Sequence, residues 1–358
     1  MHSTTTFAPD FAKFEKVVRG QEEPSRVHLV ELGIDSEVIQ EVTEQTLARK
    51  WIPDSPETHI RHLEQRISFY SAMGYDFVPA WGGFDNMPEF RERKASDTAA
   101  LSHGERHWVE EGGGIIKNWD DFERVGWDRI KPNCRDLNEM RRLVPDGMKL
   151  VVGTTVFEMI LERFLGYEDL FVLSVDNPDL VGAVFQAWGQ KVHDLYSEAI
   201  QYPEVGAIFH ADDLGFKTAT MMSPEFLRRH VFPWFKKYAA LAHEQGKTYW
   251  YHCCGNVLNV MDELIDEVKI DAFHSFQDVI FPIGDFVNRY GDRVAGFGGV
   301  DMDALSRLEE DKLRVYVRDI LDRCMPHRFA LGSGNSVANY IPVRNYLAML
   351  DEARQWAG

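Results

Sequence analysis

Eight short apolar, β-rich runs recur along the chain, each opened by a turn signal and followed by a polar or glycine-containing stretch and then a longer segment of helical period. They are RVHLVE (26–31), YDFVPAW (75–81), KLVVGT (149–154), GAIFHAD (206–212), TYWYHC (248–253), DAFHSF (271–276), RVAGFGG (293–299) and RFALGS (328–333). Strand then helix, repeated, requires right-handed crossovers and a parallel sheet. Eight such units without a Gly/Pro/Ser-rich linker predict a (β/α)8 TIM barrel, one domain over residues 1–358 with loop insertions and an N-terminal extension.

The intervening helices carry their own start and stop signals. SPETHIRHLEQRISFYSAM places Ser55 as N-cap with Pro56 in the first turn, and SPEFLRRHVFPWFKKYAALAHEQG repeats that start at Ser223 and closes on Gly246. DNPDLVGAVFQAWGQKVHDLYSEAI and EEDKLRVYVRDILDRC read the same way. The first two intervals are longer than the others, so WGGFDNMPEFRERK and WVEEGGGIIKNWDDFERVGWD are expected to decorate one face as loops or short strands.

Composition narrows the class of partner. A formal charge of -18 argues against nucleic acid or an anionic membrane, because either needs a basic face that this sequence does not concentrate. The longest apolar runs fall far short of a bilayer span, and the four cysteines show no spacing of a secreted disulfide scaffold. MHSTTTFAPDF lacks a charged start followed by an apolar stretch, so no signal peptide is expected and the reading is a reducing, cytoplasmic location.

In a parallel eight-fold barrel the active site forms at the carboxyl ends of the strands. Glu31 ends the first run, Trp81 the second, Thr154 and Thr155 the third, and Asp212 with Asp213 the fourth. His252 and Cys254 end the fifth, Ser275 and Gln277 the sixth, Asp301 the seventh, and Ser333 with Asn335 the eighth. Carboxylates, an imidazole and a thiol stand where a strand exit ordinarily carries Gly, Asn or Ser, and such a pocket can bind a metal or run acid and base chemistry on a small molecule. Of Asp212 and Asp213 only one side chain faces the interior, so only one is expected to be catalytic. Glu158, enclosed by apolar residues, either lines the pocket or starts a helix. Trp81, Phe84 and Phe90 are placed to pack on a planar substrate, with a solvent-shielding lid as the alternative. The turns GGVD and GSGNS follow the last two strands, where barrels often bind phosphate.

His252 and Cys254 alternate along an extended chain and leave the same face of their strand, while Cys253 points the other way. An imidazole nitrogen and a thiolate can therefore reach one zinc ion, whose tetrahedral shell would be completed from elsewhere. Adjacent cysteines without a C-x-x-C spacing give little support to a redox pair; hydrogen-bonded pocket residues and a buried small hydrophobe are the plainer alternative.

The run HADDLGFKTATMMSPEFLRRHVFPWFKKYAALAHEQGKTYWYHCCGNVLNVMDELIDEVKIDAFHSFQ resembles the central segment of the uroporphyrinogen decarboxylase-like superfamily, and GGVDMDAL with ALGSGNSVANYIPVRNYLAML resembles its C-terminal end. PSRVHLVELGID and EEGGGIIKNWDDFERVGWD extend the resemblance over most of the chain. It implies a (β/α)8 barrel. Porphyrinogen decarboxylases carry an arginine-rich N-terminal motif of the type MRQAGR; VELGIDSEV stands in that region here, with no arginine beyond Arg26, so substrate acetate groups would lack bidentate partners.

The other branch comprises corrinoid-dependent methyltransferases, whose thiol-activating members hold zinc through His-x-Cys and a later cysteine. His252 and Cys254 match the first two ligands; near the place of the third stand Ser333 and Asn335, and Cys324 lies before the final strand. The resemblance thus implies a zinc site completed by a carboxylate such as Asp213, Glu31 or Glu158, different acid and base chemistry, or an inactive site. The expectation is methyl transfer between a small methylated or methoxylated substrate and a corrinoid on a partner protein. A catalytic set of Asp213, Glu158 and Asp212 and substrate contacts from Glu31, Trp81, Gln277, Asp301, Ser333 and Asn335 are expected. The alternatives are a decarboxylase of a small carboxylic acid centred on Asp213, or a non-catalytic binding paralogue.

Overall fold

The computed structural model describes residues 8–90, 92–102, 104–109 and 113–356. The stretch 1–7, on which most of the signal-peptide reading rests, lies outside the described residues, as do parts of both expected insertions. Among the described residues no helix is long and apolar enough to cross a membrane.

All eight runs form strands of one parallel sheet: β1 (His28–Leu29), β2 (Phe77–Trp81), β3 (Lys149–Gly153), β4 (Val205–Ala211), β5 (Thr248–His252), β6 (Ala272–His274), β7 (Ala295–Val300) and β8 (Phe329–Ser333). The ladder runs β1-β8-β7-β6-β5-β4-β3-β2, every neighbouring pair parallel, with helices on the outer face. This is the TIM-barrel order, and β1 and β2 are the two ends that curling brings together. Asp76, one residue before β2 begins its buried run, ties that seam. It accepts from Arg26 at 2.5 Å, from His28 of β1 at 2.6 Å and from the backbone N–H of Asp10 at 2.7 Å.

Asp10 in turn caps helix α1 (Phe11–Val18) by accepting from the Lys13 N–H. This N-terminal extension plugs the lower end of the barrel. Phe14 is fully buried against Phe77, Trp250, Phe297 and His28, with ring centroids 4.9–6.2 Å apart. Phe209 lies above, edge-on to Trp250 with centroids 5.6 Å apart. Small residues (Ala207, Ala211, Ala272, Ala295 and Ala330) complete the interior layers and make room for the aromatic column.

The helix signals hold with two amendments. Helix α2 (His59–Met73) starts later than Ser55 implies: Ser55 and Thr58 share a hydrogen bond in a preceding turn, and Thr58 is the N-cap. The long segment after Ser223 divides into α3 (Pro224–His230) and α4 (Phe232–Glu244), because Pro233 has no N–H to continue the first ladder. Ser223 caps the first piece through the Phe226 N–H, and Gly246 at φ +70 follows the second. Within the insertions, Gly83–Asp85 pairs antiparallel with Lys131–Asn133, and Glu92–Ser96 pairs with Glu105–Val109.

Removing a buried anion that three donors share takes an acceptor from each of them, and Arg26 loses a carboxylate beside it. Asp76→Ala is therefore expected to lower unfolding stability by about 3–5 kcal/mol in urea titrations followed by circular dichroism.

Candidate metal centre

The upper end of the barrel collects polar side chains because the pleat of adjacent strands is in register there. On β5, Trp250, His252 and Cys254 face inward in successive layers, while Tyr251 and Cys253 pack behind the strand. His252 is level with Ala211 of β4 and His274 of β6. One pleat step above Ala211 comes Asp213. The loops after β4 and β5 touch at Gly215 and Gly255, where an added Cβ on Gly255 would stand 2.3 Å from the Gly215 carbonyl carbon. That close approach lets the Cys254 N–H donate to Asp213 Oδ1 at 2.6 Å.

Asp213, His252 and Cys254 thereby form a group whose ligand atoms all lie within 4.8 Å of one another. His252 Nε2 is 3.5 Å from Asp213 Oδ1 and 3.5 Å from Cys254 Sγ. Tetrahedral zinc with bonds of about 2.0–2.3 Å has ligand–ligand edges of about 3.3–3.8 Å, so two of the spacings match. The donor set is also right for zinc: one imidazole, one sulfur and one carboxylate oxygen, leaving a fourth position for substrate or water. Cys254 Sγ accepts a hydrogen bond from Asn335 Nδ2 at 3.3 Å and lies 3.8 Å from Ser275 Oγ. Asn335 thus reaches the sulfur as a donor, at the place where the resemblance led to expect a third cysteine. Cys324 is buried in its own helix.

Electrostatics in this corner are divided. Burial works to raise the Asp213 pKa, but hydrogen bonds from His252 and the Cys254 N–H outweigh it and hold the carboxyl below its usual range. Burial, then the charges of Asp213, Asp212 and Glu162, push Glu158 up to about 10. Burial and the Asp213 charge also raise the Cys254 thiol. An ionised and a protonated carboxyl therefore lie within electrostatic range of each other.

Several expected site residues have other duties. Asp212 is fully buried on the helix side, where it accepts from the N–H groups of Val156 and Glu158 and pairs with His210 at 2.8 Å. Its oxygens cap the short helix Phe157–Met159, so Glu158 begins a helix and Asp212 positions it rather than facing the pocket. Glu31 and Ser333 also lie behind the wall, both with no exposure, and bond to each other: the Ser333 N–H donates to Glu31 Oε1 at 2.9 Å and its hydroxyl to Oε2. The odd-numbered parity of β1 explains it, since Val30 and Leu32 take the interior. Asp301 caps the helix Met302–Arg307, accepting from the N–H groups of Asp303 and Asp278. Gln277 is exposed beyond β6, and Trp81 is 45% exposed at the end of β2. Phe84 packs on Trp188 and Phe90 on Phe164, which makes them part of the shield over the outer helices.

Sequence reasoning passed over His274. It is fully buried inside β6, its Nδ1 lies 2.6 Å from His252 Nδ1, and its Nε2 lies 3.0 Å from the Ser333 carbonyl oxygen. The available signal was a histidine in the middle of the apolar run DAFHSF.

No family model matches the chain, and no curated protein matches it. Among solved structures it is similar to a methyltransferase from Methanosarcina mazei, at 14% identity over 96% of this chain and 97% of that one, with a TM-score of 0.67. It is also similar to a putative vitamin-B12 independent methionine synthase from Listeria monocytogenes, at 12% identity over 99% and 100% of the two chains, with a TM-score of 0.51. These likenesses establish the fold.

Burial keeps Glu31 protonated up to about 8, against 4.5 for an ordinary glutamate. A raised folded pKa contributes stability that is complete below the unfolded value and is lost as pH rises through the folded one. Wild-type stability should therefore fall between about pH 4.5 and 8 through this group, and Glu31→Gln, whose amide can serve both Ser333 contacts, should flatten that part of the melting-temperature profile.

Proposed function

We propose that the chain is an enzyme, a methyltransferase that moves a methyl group between a small methylated or methoxylated substrate and a corrinoid carried on a partner protein. The Asp213–His252–Cys254 group carries this reading. Its three residues would hold zinc, with Asp213 in the role the resemblance gives to a third cysteine. When bound, the metal would polarise the heteroatom that bears the methyl group.

The chain's own residues divide the remaining work. Asp213 and the Cys254 sulfur are held in place by the Cys254 N–H and by Asn335, so the donor side of the pocket is organised before substrate arrives. Glu158, protonated at neutral pH, can donate to the leaving heteroatom and supply the proton it needs on departure. Exchange of a sulfur ligand for Asp213 hardens the donor set, which suits an oxygen or nitrogen substrate better than a thiol. The barrel shared with the Methanosarcina methyltransferase along almost its full length supports the same reading. A decarboxylase of small carboxylic acids fits less well, because Asp213 and Glu158 would bring negative potential and a buried acid toward an anionic substrate.

Protein purified without chelator should contain about one zinc per chain by elemental analysis, and Cys254→Ala or Asp213→Ala should lose it while keeping the wild-type circular dichroism spectrum. Anaerobic incubation with reduced corrinoid and a panel of methoxylated aromatics and methylamines should give the absorbance change of corrinoid methylation with at least one of them. Metal-free protein that is fully active would end the zinc part of the reading. Failure across the panel with zinc-loaded protein and a corrinoid-binding partner would end the methyl-transfer part.

A further inference from the structure

His252 has two ring nitrogens, and the direction in which its lone pair points decides whether it can serve the group beside it. Nε2 faces Asp213 and Cys254, whereas Nδ1 faces His274. We propose that His274 is a positioning residue: through a chain from the Ser333 carbonyl to His274 to His252, it holds a hydrogen on His252 Nδ1 and so keeps Nε2 as the nitrogen that faces Asp213 and Cys254 and would take a metal. The inference rests on the metal reading for its purpose, but the chain itself does not.

The direction of each hydrogen bond follows from an end that cannot donate. A backbone carbonyl only accepts, so His274 Nε2, 3.0 Å from the Ser333 oxygen, carries its hydrogen. In a neutral ring the other nitrogen is then an acceptor, and His274 Nδ1 takes the hydrogen of His252 Nδ1 across 2.6 Å. With the Nδ1 hydrogen given to His274, Nε2 is the His252 nitrogen left to face the interior, where it can donate to the Asp213 carboxylate or give up that hydrogen to a cation. The Asp213 oxygen, His252 Nε2 and the Cys254 sulfur then converge on one region.

The His274 ring has no freedom to reverse this order. It is fully buried, edge-on to Phe209 with centroids 5.8 Å apart, and lies against the backbone of β7 at Gly298. Gly298 has φ +92, and a Cβ there would stand 2.7 Å from His274 Cδ2 and 2.5 Å from the Ser333 oxygen. Only glycine leaves both the ring and its carbonyl partner in place. The register of β5 and β6, which pairs His252 with His274, sets the two rings side by side with centroids 4.9 Å apart. Outer partners of this kind orient metal-binding histidines, and their loss lowers metal affinity by about 10- to 100-fold.

The test is 15N imidazole NMR on metal-free protein labelled at histidine, with the His252 signals assigned by their loss in His252→Ala. Wild type should show a hydrogen on His252 Nδ1. His274→Leu, which removes the acceptor, should let that hydrogen leave Nδ1 and weaken zinc binding by about 10- to 100-fold in competition with a chromophoric chelator. His274→Asn, whose side-chain oxygen falls near the position of Nδ1, should restore the Nδ1 hydrogen and most of the affinity. A His252 Nδ1 that carries no hydrogen in the wild type overturns the proposal, whatever the variants do, so a leucine variant that fails to fold does not shelter it. An unchanged Nδ1 signal in folded His274→Leu overturns it as well. Wild-type protein with a hydrogen on Nδ1 but no affinity for zinc would leave the hydrogen-bond chain standing and count against the metal reading alone.

Discussion

Two-residue alternation in β5 is the constraint on which the rest of the site depends. Trp250 fills the barrel, His252 closes the filled layers, and Cys254 opens onto the mouth, all from one face of one strand. The same pleat sends Tyr249, Tyr251 and Cys253 into the outer core, so a shift by one residue would exchange the whole set. The aromatic column beneath, from Phe14 through Trp250 to Phe209, keeps that strand from moving relative to its neighbours. Close packing at the base thus underwrites ångström-scale spacing at the top.

Two neighbouring carboxylates, one buried and one partly exposed, illustrate how the fold separates support from the pocket. Asp212 and Asp213 are adjacent, yet the first is wholly engaged by backbone N–H groups and His210 on the helix side, and the second reaches the interior beside His252. Asp212 places the helix that starts at Glu158, and Glu158 feels the charge of Asp213. The pair therefore steadies a protonated carboxyl and places an ionised one from opposite faces of the chain that leaves β4. At the seam, Asp76 performs a purely structural task, joining the plug helix, β1 and β2 through a single side chain.

Legibility from sequence followed the range of the interaction. Local signals sufficed for Ser223 as a cap, for Gly246 as a helix stop and for the opposite facing of Cys253 and Cys254. They did not suffice for Glu31, Ser333 and Asp301, which stand at strand exits as chemistry-bearing residues should. Glu31 and Ser333 are 302 positions apart and bond only because β1 lies beside β8, and Asp301 is claimed by a helix start and by the Asp278 N–H. His274 escaped notice for the converse reason: inside an apolar run it reads as packing, and only its register with His252 gives it a polar partner.

The sequence by itself determined the eight strands, their parallel order and the presence of an imidazole and a thiol on one face of the fifth, because these follow from period, turn signals and the two-residue pleat. Tertiary structure alone decided that Asp213 joins them, that Asn335 meets the Cys254 sulfur as a donor and that His274 stands behind His252. Those contacts link strands brought together by curvature and register, and neither property is written in any one segment of the chain.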